Sequence, residues 1–380
     1  MYKRNNLAPI ISLIMAVAFL LSITVIYAAS SGSRSNGINV SARSATLYQP
    51  EIKKLLYSKN GDERMPMAST TKIMTGLVAL ENCELSDKIK VDSSAVGIEG
   101  SSAYLKAGEV VSAEELIYAL LLQSANDAAV ALACYIGDDT EGFVDMMNRR
   151  AEEIGANDTH FTNPHGLDDD EHYTTARDLA LITAEALKND SFKQIVSTYK
   201  KSFSDGERTR IYVNHNKLLK RYDGCIGVKT GFTRKSGRCL VSAAERDGLT
   251  FVAVTLDAPD DWNDHASLFD FGYEHLEKIT FAKDGEFVYR IPLLDGKKDS
   301  IVVSNPLGAD VIIDKGDHQV EKHLKLVKFA VAPINQGDIL GEAIYTLDGE
   351  EAARVNIVAT ETVAKREKQG FLDKLLSFFK

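Results

Sequence analysis

Three short patterns in this chain could together carry out acyl transfer: Ser69-Thr-Thr-Lys72, Ser124-Ala-Asn126 and Lys229-Thr-Gly231. A serine three residues before a lysine on a helix puts a hydroxyl and an amine on one face, one turn apart. A neutral amine there can take the hydroxyl proton and leave a nucleophile. A serine at the mouth of the helix also lies beside free backbone N–H groups and the positive end of the dipole, which favour a developing oxyanion. Each pattern alone is weak. Ser-x-x-Lys recurs at Ser197–Lys200 and Ser377–Lys380, Ser-x-Asn recurs at Ser58–Asn60, and Lys235-Ser-Gly237 competes for the third place. Ordinary frequencies give about two Ser-x-x-Lys by chance, so context must decide.

Context favours the first set. Ser69 stands before Ile73, Met74, Leu77, Val78 and Leu80, whose spacing predicts a helix over 70–81. Ser197 precedes no comparable run, Ser377 lies in an apolar tail, and Ser58-Lys-Asn60 leads into the turn residues Gly61-Asp62. Ser124 and Asn126 interrupt two helices, where side chains can face a cleft. Lys229 follows the strand-like Cys225-Ile-Gly-Val228, whereas Lys235 sits in a connecting turn.

The elements that must position these residues read as an α+β fold. Residues 38–58 alternate as two strands around a turn near Gln49-Pro50. Ser112-Ala-Glu-Glu115 is a capping box opening a helix to about Leu122. Further helices are expected from about Asp127 to Ile136, over 141–154 with Gly155 as its stop, and from the cap at Thr175 to about Lys188. From Gly224 the pattern changes to strands, including Thr250–Thr255, and a last helix lies around 262–277. Beyond 279, short strands separated by Gly and Asp turns predict a small all-β domain.

The ends carry different signals. Lys3 and Arg4 precede an apolar run from Leu7 to Ala29, followed by small residues; this is an export signal, either cleaved or kept as an anchor. Phe371, Leu372, Leu375, Leu376, Phe378 and Phe379 form one stripe on a helix, with Lys365, Arg366, Lys368, Lys374 and Lys380 flanking or opposing it, which suits a membrane interface. The expected organisation is 1–30 signal peptide or signal anchor, 31–37 linker, 38–278 catalytic domain, 279–360 β-rich domain and 361–380 amphipathic anchoring helix. A net charge of -10 argues against a nucleic-acid partner. Cys83, Cys134, Cys225 and Cys239 show no metal spacing; they read as small apolar thiols, with disulfides open to an exported chain.

The motif order Ser69, Ser124, Lys229 resembles that of the serine enzymes that react with β-lactams. The stretches MPMASTTKIMTGLVALE, LLLQSANDAAVALA, NPHGLDDDEHYTTARDLA and YDGCIGVKTGFTRKSGRCLVSAAERDG are similar to the D-alanyl-D-alanine carboxypeptidases among low-molecular-mass penicillin-binding proteins. The likeness covers roughly 38–277, and the β-rich region and tail follow the same layout. Ala125 stands where relatives often carry Gly. The resemblance implies an antiparallel sheet flanked by helices, as in β-lactamases and transpeptidases, followed by the all-β domain and terminal helix. It implies an exported enzyme facing the cell wall. It would remove the terminal D-alanine of peptidoglycan stem peptides, be acylated by β-lactams, and need neither metal nor organic cofactor.

Roles follow as expectations. Ser69 attacks the penultimate D-alanine carbonyl and Lys72 takes its proton, with Lys229 depressing the Lys72 pKa. Ser124 relays a proton to the leaving nitrogen, Asn126 holds the substrate amide, and Lys229 and Thr230 bind the terminal carboxylate. Gly231 keeps the strand edge bare for an extended peptide. By resemblance, the backbone N–H groups of Ser69 and Phe232 form the oxyanion hole. His160 and His165, flanking Asn163-Pro164, read as structural, and Asp168-Asp-Asp-Glu171 as a solvated loop rather than a calcium site. A β-lactamase would need a glutamate for deacylation; the nearest segment, Glu153-Ile-Gly-Ala-Asn157, is broken by Gly155. Transpeptidase or endopeptidase use of the same site, and a silent wall-binding scaffold, are the remaining alternatives.

Overall fold

The structure, a computed structural model, describes residues 37–204, 206 and 208–367. The proposed export signal and the apolar stripe of the tail lie outside the described residues. No helix among the described residues is long and apolar enough to cross a membrane. The described residues form one compact unit.

The chain opens with β1 (Ser44–Gln49) and β2 (Lys54–Lys59), as the alternation predicts. A 3-10 turn, Ala68–Thr71, leads into α1 (Lys72–Asn82). The pair β3 (Lys88–Lys90) and β4 (Val110–Ser112) precedes α2 (Ala113–Leu122), α3 (Asn126–Gly137) and α4 (Thr140–Ile154). Then come α5 (Ala176–Ala186), α6 (Asp190–Ser197) and the hairpin β5 (Lys200–Ser204) and β6 (Thr209–Val213). β7 (Cys225–Thr233), β8 (Gly237–Arg246) and β9 (Leu249–Leu256) lead to α7 (Asp261–His275). The caps behave as their residue types require. Ser112 Oγ accepts from Glu115 N at 3.2 Å, Thr175 Oγ1 accepts from Asp178 N at 3.0 Å, and Gly155 ends α4 in the left-handed region at φ 87°.

One antiparallel sheet, ordered β2-β1-β9-β8-β7, divides this region. Its central strands, β1, β9 and β8, bury both faces by alternation. Val241, Ala243, Val252 and Val254 face the core built around α1, while Leu240, Ala244, Phe251 and Ala253 face α7 through Leu268 and Phe269. β7 is an edge strand, so one side of its backbone is open to pairing. The helix α1 is buried along Lys72 to Ala79, wrapped by its neighbours in the larger core. Sequence periodicity missed α6 and the β5–β6 hairpin. The apolar positions of α6, Phe192, Ile195 and Val196, are too few to reveal the period over its 8 residues.

The remainder is β structure, in strands β10 (Leu276–Ala282), β11 (Val288–Leu294), β12 (Ser300–Ser304), β13 (Ala309–Asp314), β14 (Val320–Leu326), β15 (Ala330–Val331), β16 (Ile339–Leu347) and β17 (Glu350–Ala359). They form a β10-β13 pair and a sheet ordered β14-β16-β17-β12-β11-β15, around a separate core that includes Ile301, Val303, Ala343 and Ile357. Asp348 and Gly349, both at positive φ (53° and 87°), make the tight β16–β17 turn that the Asp-Gly pair predicts.

Candidate active site

The nucleophile sits on a turn tighter than an α-helix. Ser69 and Lys72 span the 3-10 turn, in which residues i and i+3 eclipse, and Lys72 Nζ lies 3.0 Å from Ser69 Oγ. Lys72 also donates to Asn126 Oδ1 at 2.6 Å and to the His165 carbonyl at 2.5 Å. Its side chain is wholly buried. That burial, and next the charge of Lys229, hold its pKa well below the usual lysine value, with Asp127 opposing. A neutral amine has two N–H bonds and one lone pair. With both N–H groups taken by the two carbonyl oxygens, the lone pair is left for the Ser69 hydroxyl.

Ser124 and Lys229 form a second pair, with Lys229 Nζ donating to Ser124 Oγ at 3.0 Å and to the Thr230 carbonyl at 2.8 Å. Ser124 lies between α2 and α3 at φ 63°, a left-handed conformation that turns the chain from one helix into the next. Burial lowers Lys229 to about 7. The expectation of Ser124 as a relay from Lys72 differs from the observed contacts: among the described residues Ser124 is bonded to Lys229 and not to Lys72. Asn126, expected to meet the substrate, is 4% exposed; it accepts from Lys72 and donates Nδ2 to the Glu99 carbonyl at 2.5 Å.

β7 runs along the nucleophile turn. A Cβ at Gly231 would stand 3.1 Å from Ser69 N, Met67 O and Ala68 Cβ, so the glycine is required by close approach to that turn, a reason the sequence did not suggest. Thr230 is partly exposed beside it, and Phe232, opposite Arg238 in β8, points its ring to solvent.

Two groups went unrecognised in the sequence. His172 is buried with its ring between two threonines: Thr162 N donates to Nδ1 at 3.0 Å, so the neutral ring carries its hydrogen on Nε2, 2.8 Å from Thr71 Oγ1. Thr71 Oγ1 in turn donates to the Ala68 carbonyl at 2.8 Å. Ala68, at φ 48°, is the left-handed residue that delivers Ser69 into the site. Burial pushes His172 down to about 4 and His165 down to about 3, so both rings are neutral near pH 7. Asp127 holds the strand-like loop above Asn126, accepting from Ala103 N, Leu105 N, Ala128 N and Ser102 Oγ at 2.6–3.1 Å. A buried carboxylate at position two of a helix was the available signal.

The acidic loop is strapped rather than free. Asp168 accepts from Thr233 Oγ1 at 2.8 Å and Asp170 pairs with Lys235 at 2.5 Å. No cluster of three or more metal-binding side chains occurs among the described residues. The four cysteines are free thiols, Cys239 fully buried.

Residues 30–260 match the family model described as D-alanyl-D-alanine carboxypeptidase, over more than half of the chain. The chain belongs to that family. Residues 276–365 of this carboxypeptidase family member match the C-terminal domain of penicillin-binding protein 5. It is 32% identical over 372 residues to D-alanyl-D-alanine carboxypeptidase DacF of Bacillus subtilis, covering 95% of each chain. Among solved structures it is similar to penicillin-binding protein 5 from Haemophilus influenzae, with 28% identity, a TM-score of 0.64, and coverage of 87% of this chain and 100% of that one. A mutant Streptomyces K15 DD-transpeptidase aligns at 31% identity and TM-score 0.59, covering 62% of this chain and 99% of its own.

Proposed function

We propose that this serine-type carboxypeptidase removes the terminal D-alanine from peptidoglycan stem peptides through an acyl-enzyme on Ser69. The observation that carries the reading is the Lys72 amine, buried, held by two carbonyls and 3.0 Å from Ser69 Oγ. Ser69 attacks the penultimate D-alanine carbonyl as its proton passes to Lys72. The backbone N–H groups of Ser69 and Phe232 receive the oxyanion. The Ser124–Lys229 pair then supplies the proton that the leaving nitrogen needs, and the terminal carboxylate is met by the Thr230 hydroxyl and the Lys229 charge. The proton held by Lys72 restores the one given up by the Ser124–Lys229 pair, so Lys72 is neutral again when water enters. It takes the water proton as the hydroxyl attacks the ester and passes it to Ser69 Oγ as the acyl bond breaks. β-Lactams acylate the same hydroxyl.

In this assignment the substrate runs along the open edge of β7. Its carbonyl lies at Phe232 and its terminal carboxylate at Lys229, so its leaving side points toward Gly227. Asn126, whose Oδ1 accepts from Lys72 and whose Nδ2 carries a second hydrogen beyond the one given to Glu99, holds the substrate amide. The catalytic region spans 38–278 and the β-rich domain 279–360. The chain works outside the cytoplasmic membrane, the part of its 361–380 segment beyond residue 367 lying on the membrane surface. Residues 361–367 are instead bound to the β-rich domain, where Val363 pairs with Ile334 and is buried. Removing residues 368–380 moves the protein from the membrane to the soluble fraction while activity persists; retention on the membrane after signal removal refutes the anchor.

The decisive measurement is D-alanine release from a pentapeptide by wild type and Ser69→Ala, with penicillin labelling mapped by mass spectrometry. The expected result is release and a label on the Ser69 peptide in wild type, and neither in the variant. Equal release by Ser69→Ala overturns the mechanism, and rapid penicillin turnover in place of a persistent label makes the protein a β-lactamase.

A further inference from the structure

Beside the N-terminal half of β7 lies a cavity of about 540 Å³ lined by Tyr199, Asn214, His215, Lys217, Lys220 and Arg221. Its cations come from one short element. Lys217–Lys220 is a 3-10 turn, so the two lysines eclipse on one side, and Arg221 follows as its cap residue. Asn216 pins that turn to the sheet: its side chain accepts from Leu218 N and donates to the Gly227 carbonyl at 2.7 Å and to Ser242 Oγ at 3.1 Å. Asn214 is likewise fixed, donating to the Val196 carbonyl at 2.9 Å. The cationic wall is therefore built on a fixed base and joins the substrate strand two residues before Lys229.

No carboxylate lines the cavity, and among the described residues none of Lys217, Lys220 and Arg221 has an acidic partner within ion-pair distance. Lys220 Nζ instead lies 3.5 Å from the centre of the Tyr199 ring, and Lys217 Nζ lies 6.0 Å from that of Trp262. Three cations line one concavity in a chain of net charge -10, and an anion entering it would be attracted by all three. Lys229 is felt here as well: burial first, and then its charge, lowers the pKa of His215.

We propose that this cavity is a leaving-side anion subsite, which takes a second carboxylate on a leaving amino acid larger than D-alanine. The proposal rests on the carboxypeptidase reading for the direction of the substrate along β7. The terminal α-carboxylate stays at Thr230 and Lys229, and the additional carboxylate reaches Lys217, Lys220 and Arg221. The reaction is the same hydrolysis: the acyl group passes to Ser69 Oγ, the amide C–N bond breaks, the departing amine takes a proton, and water then cleaves the ester. The site thereby accepts D-alanyl bonds to acidic amino acids.

The test uses two acyl peptides ending in D-Ala-D-Glu or D-Ala-D-Gln, which have nearly the same shape and differ in one charge. Their dissociation constants are measured by calorimetry on full-length Ser69→Ala, alone and combined with Lys217→Gln, Lys220→Gln and Arg221→Gln. The expected result is about fivefold tighter binding of the D-Glu peptide at low salt, lost in the cation variant and reduced by salt. Equal affinities, or a preference that survives the three substitutions, overturn the subsite. Should the triple variant fail to fold by its melting curve, Arg221→Gln alone must at least halve the preference. D-Alanine release by the wild type is scored separately. If that release fails while the charge preference holds, the hydrolytic reading falls and the subsite stands.

Discussion

Two lysines whose pKa values burial lowers govern how this site responds to pH. Acylation requires neutral Lys72, whose pKa is depressed, so kcat/KM rises as pH climbs through that depressed value and has levelled before the ordinary lysine range. Lys229, lowered to about 7, loses its charge as pH rises through that value, and with it the attraction for the substrate carboxylate. The expected profile is a bell whose alkaline limb lies in KM rather than kcat; Lys229→Arg should keep the charge and flatten that limb, and an unchanged limb would refute the assignment. The same depression sets stability. Between its folded pKa and its unfolded value near 10.5, Lys229 binds more protons when unfolded, so stability rises with pH across that window. Lys229→Met should accordingly melt above wild type at pH 7, with the gap closing toward pH 10.

His172 acts at one remove, as a positioning residue. Its Nε2–H holds Thr71, and Thr71 holds the Ala68 carbonyl at the turn before Ser69. Its folded pKa lies below the unfolded value, so the stability from its neutral form is complete above about pH 6.5 and is lost as pH falls to about 4. That is on the order of 3 kcal/mol. Gln can replace both contacts without titrating. His172→Gln should retain most of the penicillin acylation rate and soften the acid loss in melting temperature, whereas His172→Leu should slow acylation at least tenfold. Equal acylation by both variants would show that the ring only fills space.

At the scale of elements, the site is a meeting of three chain turns on one strand edge. β7 comes so close to the Ser69 turn that a methyl group at Gly231 would press on Ser69 N and Met67 O. Gly231→Ala should displace the turn or the strand by a few tenths of an ångström and lower the acylation rate by at least tenfold, since small misplacements of reacting groups are costly. Wild-type acylation in this variant would mean that the two elements give way freely. How much of this was legible follows from the kind of signal each part carries. Ser69 and Lys72 were readable because local helical spacing brings them together, and the caps at Ser112 and Thr175 because their chemistry is local. The pairing of Ser124 with Lys229, 105 residues apart, depends on how β7 meets the α2–α3 turn, and no periodicity encodes that. His172 escaped for the same reason: its ring partners, Thr71 and Thr162, lie on two other segments of the chain.

At the scale of the molecule, the β-rich domain has its own core and stands apart from the chemistry, but two of its strands reach the apolar layer of the catalytic region. Every residue assigned a catalytic or substrate-binding role lies between Ser69 and Phe232. At the junction, Ile312 of β13 and Leu276 of β10 join the apolar layer beneath α7, Lys54 pairs with Asp314 at 2.6 Å, and Lys315 N donates to the His275 carbonyl at 2.7 Å. The Streptomyces structure is covered almost completely by 62% of this chain, so a catalytic unit of this kind can stand without such a domain. A chain ending at residue 282 therefore loses the β13 contacts and keeps the five-stranded sheet with both of its cores. Uncovering Ile312's neighbours costs about 2 kcal/mol of apolar burial, and the exposed ion pair adds little. In a unit of this size that corresponds to a fall in melting temperature of about 4–8 °C. The truncated protein should label with penicillin within about twofold of the full-length rate, because the Ser69 turn, α3 and β7 are held entirely by cores it retains. A truncated protein that melts cooperatively but acylates more than tenfold slower would show that the β domain, through α7 and the sheet, sets the geometry of the site.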